Sequence, residues 1–203
     1  MHIRSIPPEQ QVATRWRNGG GSTREILRVG PEADFDWRFS LARVDRGGPF
    51  STFRGYQRLS ALIDGGPLTL QWPDGRELAL APRMKACAYA GDPPPQGLLE
   101  GEPALVCNLI ARNGLDAQLL PRTLVGSMVF FDQAGVDWLL FLLSGEAELR
   151  FVEERHWLGR MHAQLLRGEG GSGRAVLEGG GEVLLARIGY PVGSDDYRQP
   201  APG

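Results

Sequence analysis

Glycine and proline interrupt this chain too often for long helices to form. There are 28 Gly and 15 Pro among 203 residues, and the stretches between them have the length of strands. Helix interiors tolerate neither residue, whereas tight turns between strands use both. Within those stretches the apolar residues alternate. Trp37-Arg-Phe-Ser-Leu41 puts Trp37, Phe39 and Leu41 on one face and Arg38 and Ser40 on the other, and Leu68-Thr-Leu-Gln-Trp72 separates Leu68, Leu70 and Trp72 from Thr69 and Gln71. Asp64-Gly65-Gly66, Pro73-Asp74-Gly75 and Ser144-Gly145 stand where hairpins would reverse. The expected class is all-β.

The order of segments repeats. Leu62-Ile-Asp-Gly-Gly-Pro-Leu-Thr-Leu70 reads like Leu142-Leu-Ser-Gly-Glu-Ala-Glu-Leu149, and Leu99-Glu-Gly-Glu with Ala104–Ile110 reads like Leu177-Glu-Gly-Gly with Glu182–Ile188. A strand, a glycine turn, a second strand, a polar loop and a last apolar strand, given twice, indicate two tandem β-sandwich or jelly-roll modules. Arg112-Asn-Gly and Pro121 break the pattern, so the modules are expected over 1–115 and 116–203. The segment 92–97, Asp-Pro-Pro-Pro-Gln-Gly, reads as a stiff surface connection, Trp138–Leu143 as a buried strand, and Ser194–Gly203 as a loosely held tail.

Charge and composition exclude several classes. A formal net charge of −2, with 22 basic and 24 acidic residues, gives no basic stripe for a phosphate backbone, so no nucleic-acid partner is expected. The amino-terminal MHIRSIPPEQQ has no apolar core of a signal peptide, and the apolar run Trp138–Leu143 falls far short of the ~20 residues of a membrane helix. Cys87 and Cys107 are too few for a disulfide framework and lack metal-ligand spacing; they read as buried thiols of a reducing compartment, and the expected location is the cytoplasm with no membrane partner. Oligomeric state is not written in these features, though exposed sheet edges leave room for a homodimer.

The least ordinary stretch is Arg15-Trp-Arg-Asn-Gly-Gly-Gly-Ser-Thr-Arg-Glu-Ile26. It has neither the lysine of a phosphate loop nor a helix behind it, since Ser22–Val29 reads as a strand. A bend before that strand is one reading. The other is a wall of a site, because Trp16, Asn18, Thr23, Arg24 and Glu25 crowd polar groups against glycines that permit close approach. Thr23 and Glu25 share one strand face, opposite Arg24.

Trp16-Arg-Asn-Gly-Gly-Gly-Ser-Thr-Arg-Glu-Ile26, Asp36-Trp-Arg-Phe-Ser40, Gly48-Pro-Phe-Ser-Thr-Phe53 and Arg58 together resemble the HutD/Ves family, cupin-like proteins associated with histidine utilisation. The resemblance spans essentially the whole chain. It implies a bicupin fold of two barrels in tandem and a regulatory, small-molecule-binding role in histidine breakdown, with N-formylglutamate as a linked metabolite.

Cupins commonly hold a metal through two His, a Glu and a later His. The stretch corresponding to that motif, Gly47–Gly66, offers Phe53, Gly55 and Arg58 near the ligand positions, none of which binds a divalent cation. The only histidines are His2, His156 and His162; the last two share a strand face and leave a second-half site with Glu148 or Glu153 as the alternative. No metal and no cofactor are expected in the first module. Arg58 then becomes the candidate anchor for a small acidic metabolite, with Thr23, Ser40, Ser60 and Asn108 as neutral partners and Asn18, Arg24 and Trp16 beside them. The plain alternatives are a salt bridge of Arg58 to Glu25 or Asp64, a surface position, and Trp16 and Trp37 as core. A cofactor-free enzyme using Glu25 as acid or base is the competing function, although neighbouring arginines are poor company for a group that must take up protons near neutral pH. A third reading is an interaction module.

Overall fold

The structure, a computed structural model, describes residues 1–191. Its sixteen strands are, in chain order, β1 (His2–Ile6), β2 (Val12–Arg15), β3 (Gly21–Val29), β4 (Trp37–Val44), β5 (Gly48–Pro49), β6 (Tyr56–Gly65), β7 (Leu68–Gln71), β8 (Glu77–Ala79), β9 (Ala86–Ala90), β10 (Gln96–Leu99), β11 (Ala104–Arg112), β12 (Asp116–Phe131), β13 (Val136–Phe151), β14 (Glu154–Leu158), β15 (Ala163–Arg167) and β16 (Arg174–Gly189). One 3-10 turn at Pro8–Gln10 accompanies them. The class is all-β, and among the described residues no helix is long and apolar enough to cross a membrane.

The described residues divide into two compact units, 11–113 and 1–10 with 114–191. The amino-terminal strand is therefore not part of the 1–115 module expected from sequence. β1 pairs with β15, far along the chain, and the partner of an edge strand is not encoded locally. The tail at Ser194–Gly203 lies outside the described residues.

Residues 11–113 form a six-stranded sheet, β2-β3-β4-β11-β6-β9, and a four-stranded sheet, β5-β10-β7-β8. Val44, Leu62 and Val106 of the larger sheet join Leu68, Leu70 and Trp72 of the smaller in one apolar cluster, each such side chain contributing about 1.5–3 kcal/mol when fully buried. Pro73-Asp74-Gly75 makes the expected hairpin, with the Trp72 amide donating to the Arg76 carbonyl at 2.9 Å. Asp64-Gly65-Gly66 does not. It carries the chain from β6 in one sheet to β7 in the other. Of the segment 92–97, the last two residues open β10 rather than extending the connection.

The other unit is one sheet, β1-β15-β13-β16-β12, with β14 on the far part of β13. Ser144-Gly145, expected as a hairpin, reverses nothing: β13 runs through it, with a register shift between Leu142 and Ser144. Gly145 faces Gly181, both with positive φ (87° and 134°), and a Cβ on either would overlap backbone of the opposite strand. The glycines bend long strands where the first unit breaks its strands in two. The neighbour order nevertheless repeats. β4-β11-β6-β9 is paralleled by the near parts of β12-β16-β13 with β15, and β5-β10-β7-β8 by their far parts with β14. The sheets remain open at their edges and do not close into barrels. Trp138–Leu143 lies within β13, where Leu139–Leu142 are buried.

Candidate functional site

The glycine-rich stretch is the turn of the β2–β3 hairpin. The Trp16 amide donates to the Gly21 carbonyl and the Gly19 amide to the Trp16 carbonyl, both at 3.0 Å, and Asn18 Oδ1 accepts from the Gly20 amide at 2.9 Å. Gly19 has φ of 66°, and a Cβ on Gly21 would overlap the Arg43 carbonyl oxygen, so glycine is what lets β3 lie against β4 here. The same hairpin walls a cavity of about 450 Å³ within residues 11–113, lined on this side by Trp16, Asn18 and Thr23. Trp16 Nε1 donates to Thr23 Oγ1 at 2.8 Å, which fixes the indole as a wall.

The floor comes from three adjacent strands whose shared face changes character row by row. Val44, Val106 and Leu62 belong to the core. Ser40, Asn108 and Ser60 are cross-strand partners in one row, and the next row places Arg38, Ile110 and Arg58 side by side, with Tyr89 beyond. Period-two geometry keeps these rows on one side of the sheet, while Trp37 and Phe39, fully buried at 0% exposure, take the other. From sequence, Arg38 and Ser40 either point outward or line the lumen; the fold turns them to the cavity.

Arg58 sits at the bottom, 5% exposed. Its Nη2 donates to Asn108 Oδ1 at 3.1 Å, and the same oxygen accepts from Ser60 Oγ at 2.8 Å; Ser60 is in turn 2.9 Å from the Tyr89 hydroxyl. The rings of Phe50, Phe53 and Tyr89 stand 5.2, 5.5 and 5.3 Å from the guanidinium carbon, within cation–π range. Neither Nε nor Nη1 has a hydrogen-bond partner. The expected alternatives for Arg58, an ion pair with Glu25 or Asp64 or a surface position, are not what the fold adopts. Burial lowers the pKa of Arg58 from its usual value, with Tyr89 opposing, yet a guanidinium stays charged at neutral pH. The result is a buried cation on the cavity lining whose Nε and Nη1 are enclosed without a hydrogen-bond acceptor.

Arg38 is the second cation, with its side chain 24% exposed. Its guanidinium lies 5.2 Å from the Phe53 ring centre and 5.6 Å from that of Phe35, and its Nε has no partner. Burial lowers its pKa, Arg58 and Arg28 push the same way, and Glu25 offsets them. Arg15 and Arg17 complete the lining's positive charge.

Six of the candidate residues therefore meet at one cavity: Trp16, Asn18, Thr23, Ser40, Arg58 and Asn108. Arg24 does not. It points from the opposite face of β3, as strand alternation requires. Glu25 lies next to the lining but outside it, 3.6 Å from Arg28 Nε and 3.9 Å from Arg38 Nη1. Sequence reading assigned no role to Phe50, Phe53 or Tyr89. The aromatic pair was visible only as part of Gly48-Pro-Phe-Ser-Thr-Phe53, whose irregular backbone gives no period to read.

The donor set does not suit a cupin-type metal, since the lining contains no imidazole, thiolate or carboxylate. His156 and His162 do not converge: His156 Nε2 is 3.2 Å from Glu154, and His162 Nδ1 is 3.3 Å from the Arg160 carbonyl. Among the described residues no group of three His, Cys, Asp or Glu is placed to hold a metal ion. Burial pushes the Cys107 thiol well above its usual range, so it is no nucleophile.

Comparison with known proteins places this chain in a family. The model of the HutD family matches residues 8–185. The chain belongs to the HutD family. Protein Ves of Cronobacter sakazakii is 29% identical over 180 residues, covering 86% of this chain and 92% of the relative. HutD from Pseudomonas fluorescens SBW25 superposes with a TM-score of 0.71 at 28% identity, covering 94% of this chain and all of that one. A conserved protein of unknown function from Pseudomonas aeruginosa PAO1 gives a TM-score of 0.82 at 25% identity, over 93% and 98% of the two chains. Oxalate decarboxylase of Bacillus subtilis, at 7% identity and a TM-score of 0.63, shares the cupin-like fold alone.

Proposed function

We propose that this HutD-family chain binds a small carboxylate in the cavity of residues 11–113 without transforming it. Its two units are then cupin-like modules in tandem, the bicupin arrangement that the family resemblance implies. Arg58 carries the reading. A buried, unpaired charge costs several kcal/mol, on the order of what a well-placed partner returns. The fold nevertheless keeps this guanidinium in place with Asn108 and three rings, and leaves Nε and Nη1 without acceptors. A planar carboxylate is the complement of such a fork. Asn108 occupies one of the two Nη2 hydrogens, so one fork of the guanidinium stays complete and the ligand meets it in one orientation.

Four arginines and no carboxylate line the cavity. Glu25, the residue a cofactor-free enzyme would need, is engaged by Arg28 and Arg38 outside the lining. Both features support binding over proton transfer. Within the histidine-breakdown role that the resemblance to HutD/Ves proteins implies, the ligand is an acidic intermediate such as N-formylglutamate, and occupancy serves regulation.

Isothermal titration calorimetry of the full chain with N-formylglutamate, glutamate and formate tests this. The expected result is saturable binding of at least one carboxylate, weakened by about thirtyfold or more in Arg58→Met, as for loss of a buried charge partner. Binding that survives unchanged in that variant removes the anchor, and no binding of any of the three overturns the reading.

A further inference from the structure

Two of the four arginines that line the cavity, Arg58 and Arg38, differ in how firmly they are engaged. Arg58 is fixed by Asn108 and enclosed by rings. Arg38 is held only loosely: its contact with Glu25 is 3.9 Å, beyond hydrogen-bond range. Glu25 also reaches only to 3.6 Å of Arg28. One carboxylate is thus stretched between two guanidinia and makes a full bond to neither, while the Arg38 Nε hydrogen has no acceptor. The Phe53 ring is shared by the two cations, with its centre 5.5 Å from Arg58 and 5.2 Å from Arg38. An occupant that satisfied Arg58 alone would leave Arg38 with its long contact. A second carboxylate on the same occupant, approaching to the ~2.7–2.9 Å of a charge-assisted bond, would give Arg38 what Glu25 does not. Glu25 would be left to Arg28, which also has Glu32 within 3.8 Å.

We infer that Arg38 is the specificity-determining residue that separates doubly from singly charged ligands, with Glu25 as the counter-ion that the second carboxylate displaces. The inference rests on the carboxylate reading of Arg58. The ligand class it selects is an aliphatic dicarboxylate whose carbon chain crosses the face of Phe53.

Two probes of equal size isolate the charge: glutarate and its monoamide. Calorimetry on the full chain should show glutarate binding about tenfold tighter or more, the equivalent of one modest charge-assisted contact. Arg38→Gln should bring glutarate down to the level of the monoamide and leave the monoamide within about twofold. Glu25→Gln, which removes the competing charge, should tighten glutarate and not the monoamide, and it carries the test if Arg38→Gln fails to fold. Equal affinity for the two probes in the wild type overturns the inference, as does an equal loss for both in Arg38→Gln or unchanged glutarate binding in Glu25→Gln. These outcomes leave the Arg58 site standing. Failure of both probes to bind a wild type that does bind N-formylglutamate, glutamate or formate overturns the inference alone; failure of all five acids removes the carboxylate reading, and the inference falls with it.

Discussion

On the proposed reading, Arg58 is a residue kept for its ligand at the expense of the empty fold. Burial lowers its pKa, which means that the folded chain holds the charged form less comfortably than water does. Arg58→Met keeps much of the apolar stem and removes the charge, so the ligand-free variant should melt at or above the wild-type temperature while losing the upward shift that a bound carboxylate gives. Calorimetric melts with and without N-formylglutamate check both halves, and a lower ligand-free melting point would contradict this account. Asn108→Ala acts in the opposite sense. It strands the Arg58 Nη2 donor and leaves the Ser60 hydroxyl with Tyr89 alone, with an expected cost of about 1–3 kcal/mol in urea unfolding. The register of Arg58 was legible because Arg58, Ser60 and Leu62 alternate on one strand. The role of Arg38 was not, because alternation shows that it opposes Trp37 without showing which face of the sheet meets a cavity. Tyr89, the one large residue in Ala86–Ala90, carried no signal of its own.

At the scale of elements, glycine marks where backbone meets backbone. Gly21 admits β4, and Gly181 admits the Ser144 carbonyl at the bend of β13 and β16. Gly181→Ala combines that overlap with a φ of 134° and should cost at least about 1–3 kcal/mol, read from denaturant midpoints. Gly48→Ala, with nothing within 4 Å of the added methyl, should stay within about 0.5 kcal/mol of wild type. Equal effects at the two positions would sink the argument. The strands and the Pro73–Gly75 hairpin follow from alternation and turn chemistry. Ser144-Gly145 was misread because a bend inside a long strand and a chain reversal ask the same of a residue, a positive φ without a side chain. What separates them is the pairing with β16, and that is set some forty residues away.

Across the whole molecule the repeat was legible, since both halves carry the same succession of strands, while the placement of residues 1–10 was not. Those residues end in a charged anchor: the Met1 amine lies 2.7 Å from Asp132 and 2.6 Å from Glu169. Burial alone would raise the Asp132 carboxyl, but hydrogen bonds from the Met1 amine and the Glu169 and Gly171 amides hold it below its usual value. Burial alone would lower the amine, and the two carboxylates raise it. Asp132 therefore stabilises the fold above the unfolded carboxylate pKa and loses that contribution as pH falls through its depressed value. The amine contributes below its unfolded pKa and loses it as pH rises through its raised value. Asp132→Asn should be destabilised most between roughly pH 5 and 7, with the gap closing toward either extreme; urea midpoints across pH measure this, and a gap independent of pH would refute it. The graded rows of β4, β11 and β6 have a further consequence. Because Val44, Val106 and Leu62 hold the sheets together several residues away from Arg38 and Arg58, those two side chains can be changed while the contacts between the sheets stay in place. On the proposed reading, chains built on this frame are thus free to diverge in the guests they accept while remaining superimposable.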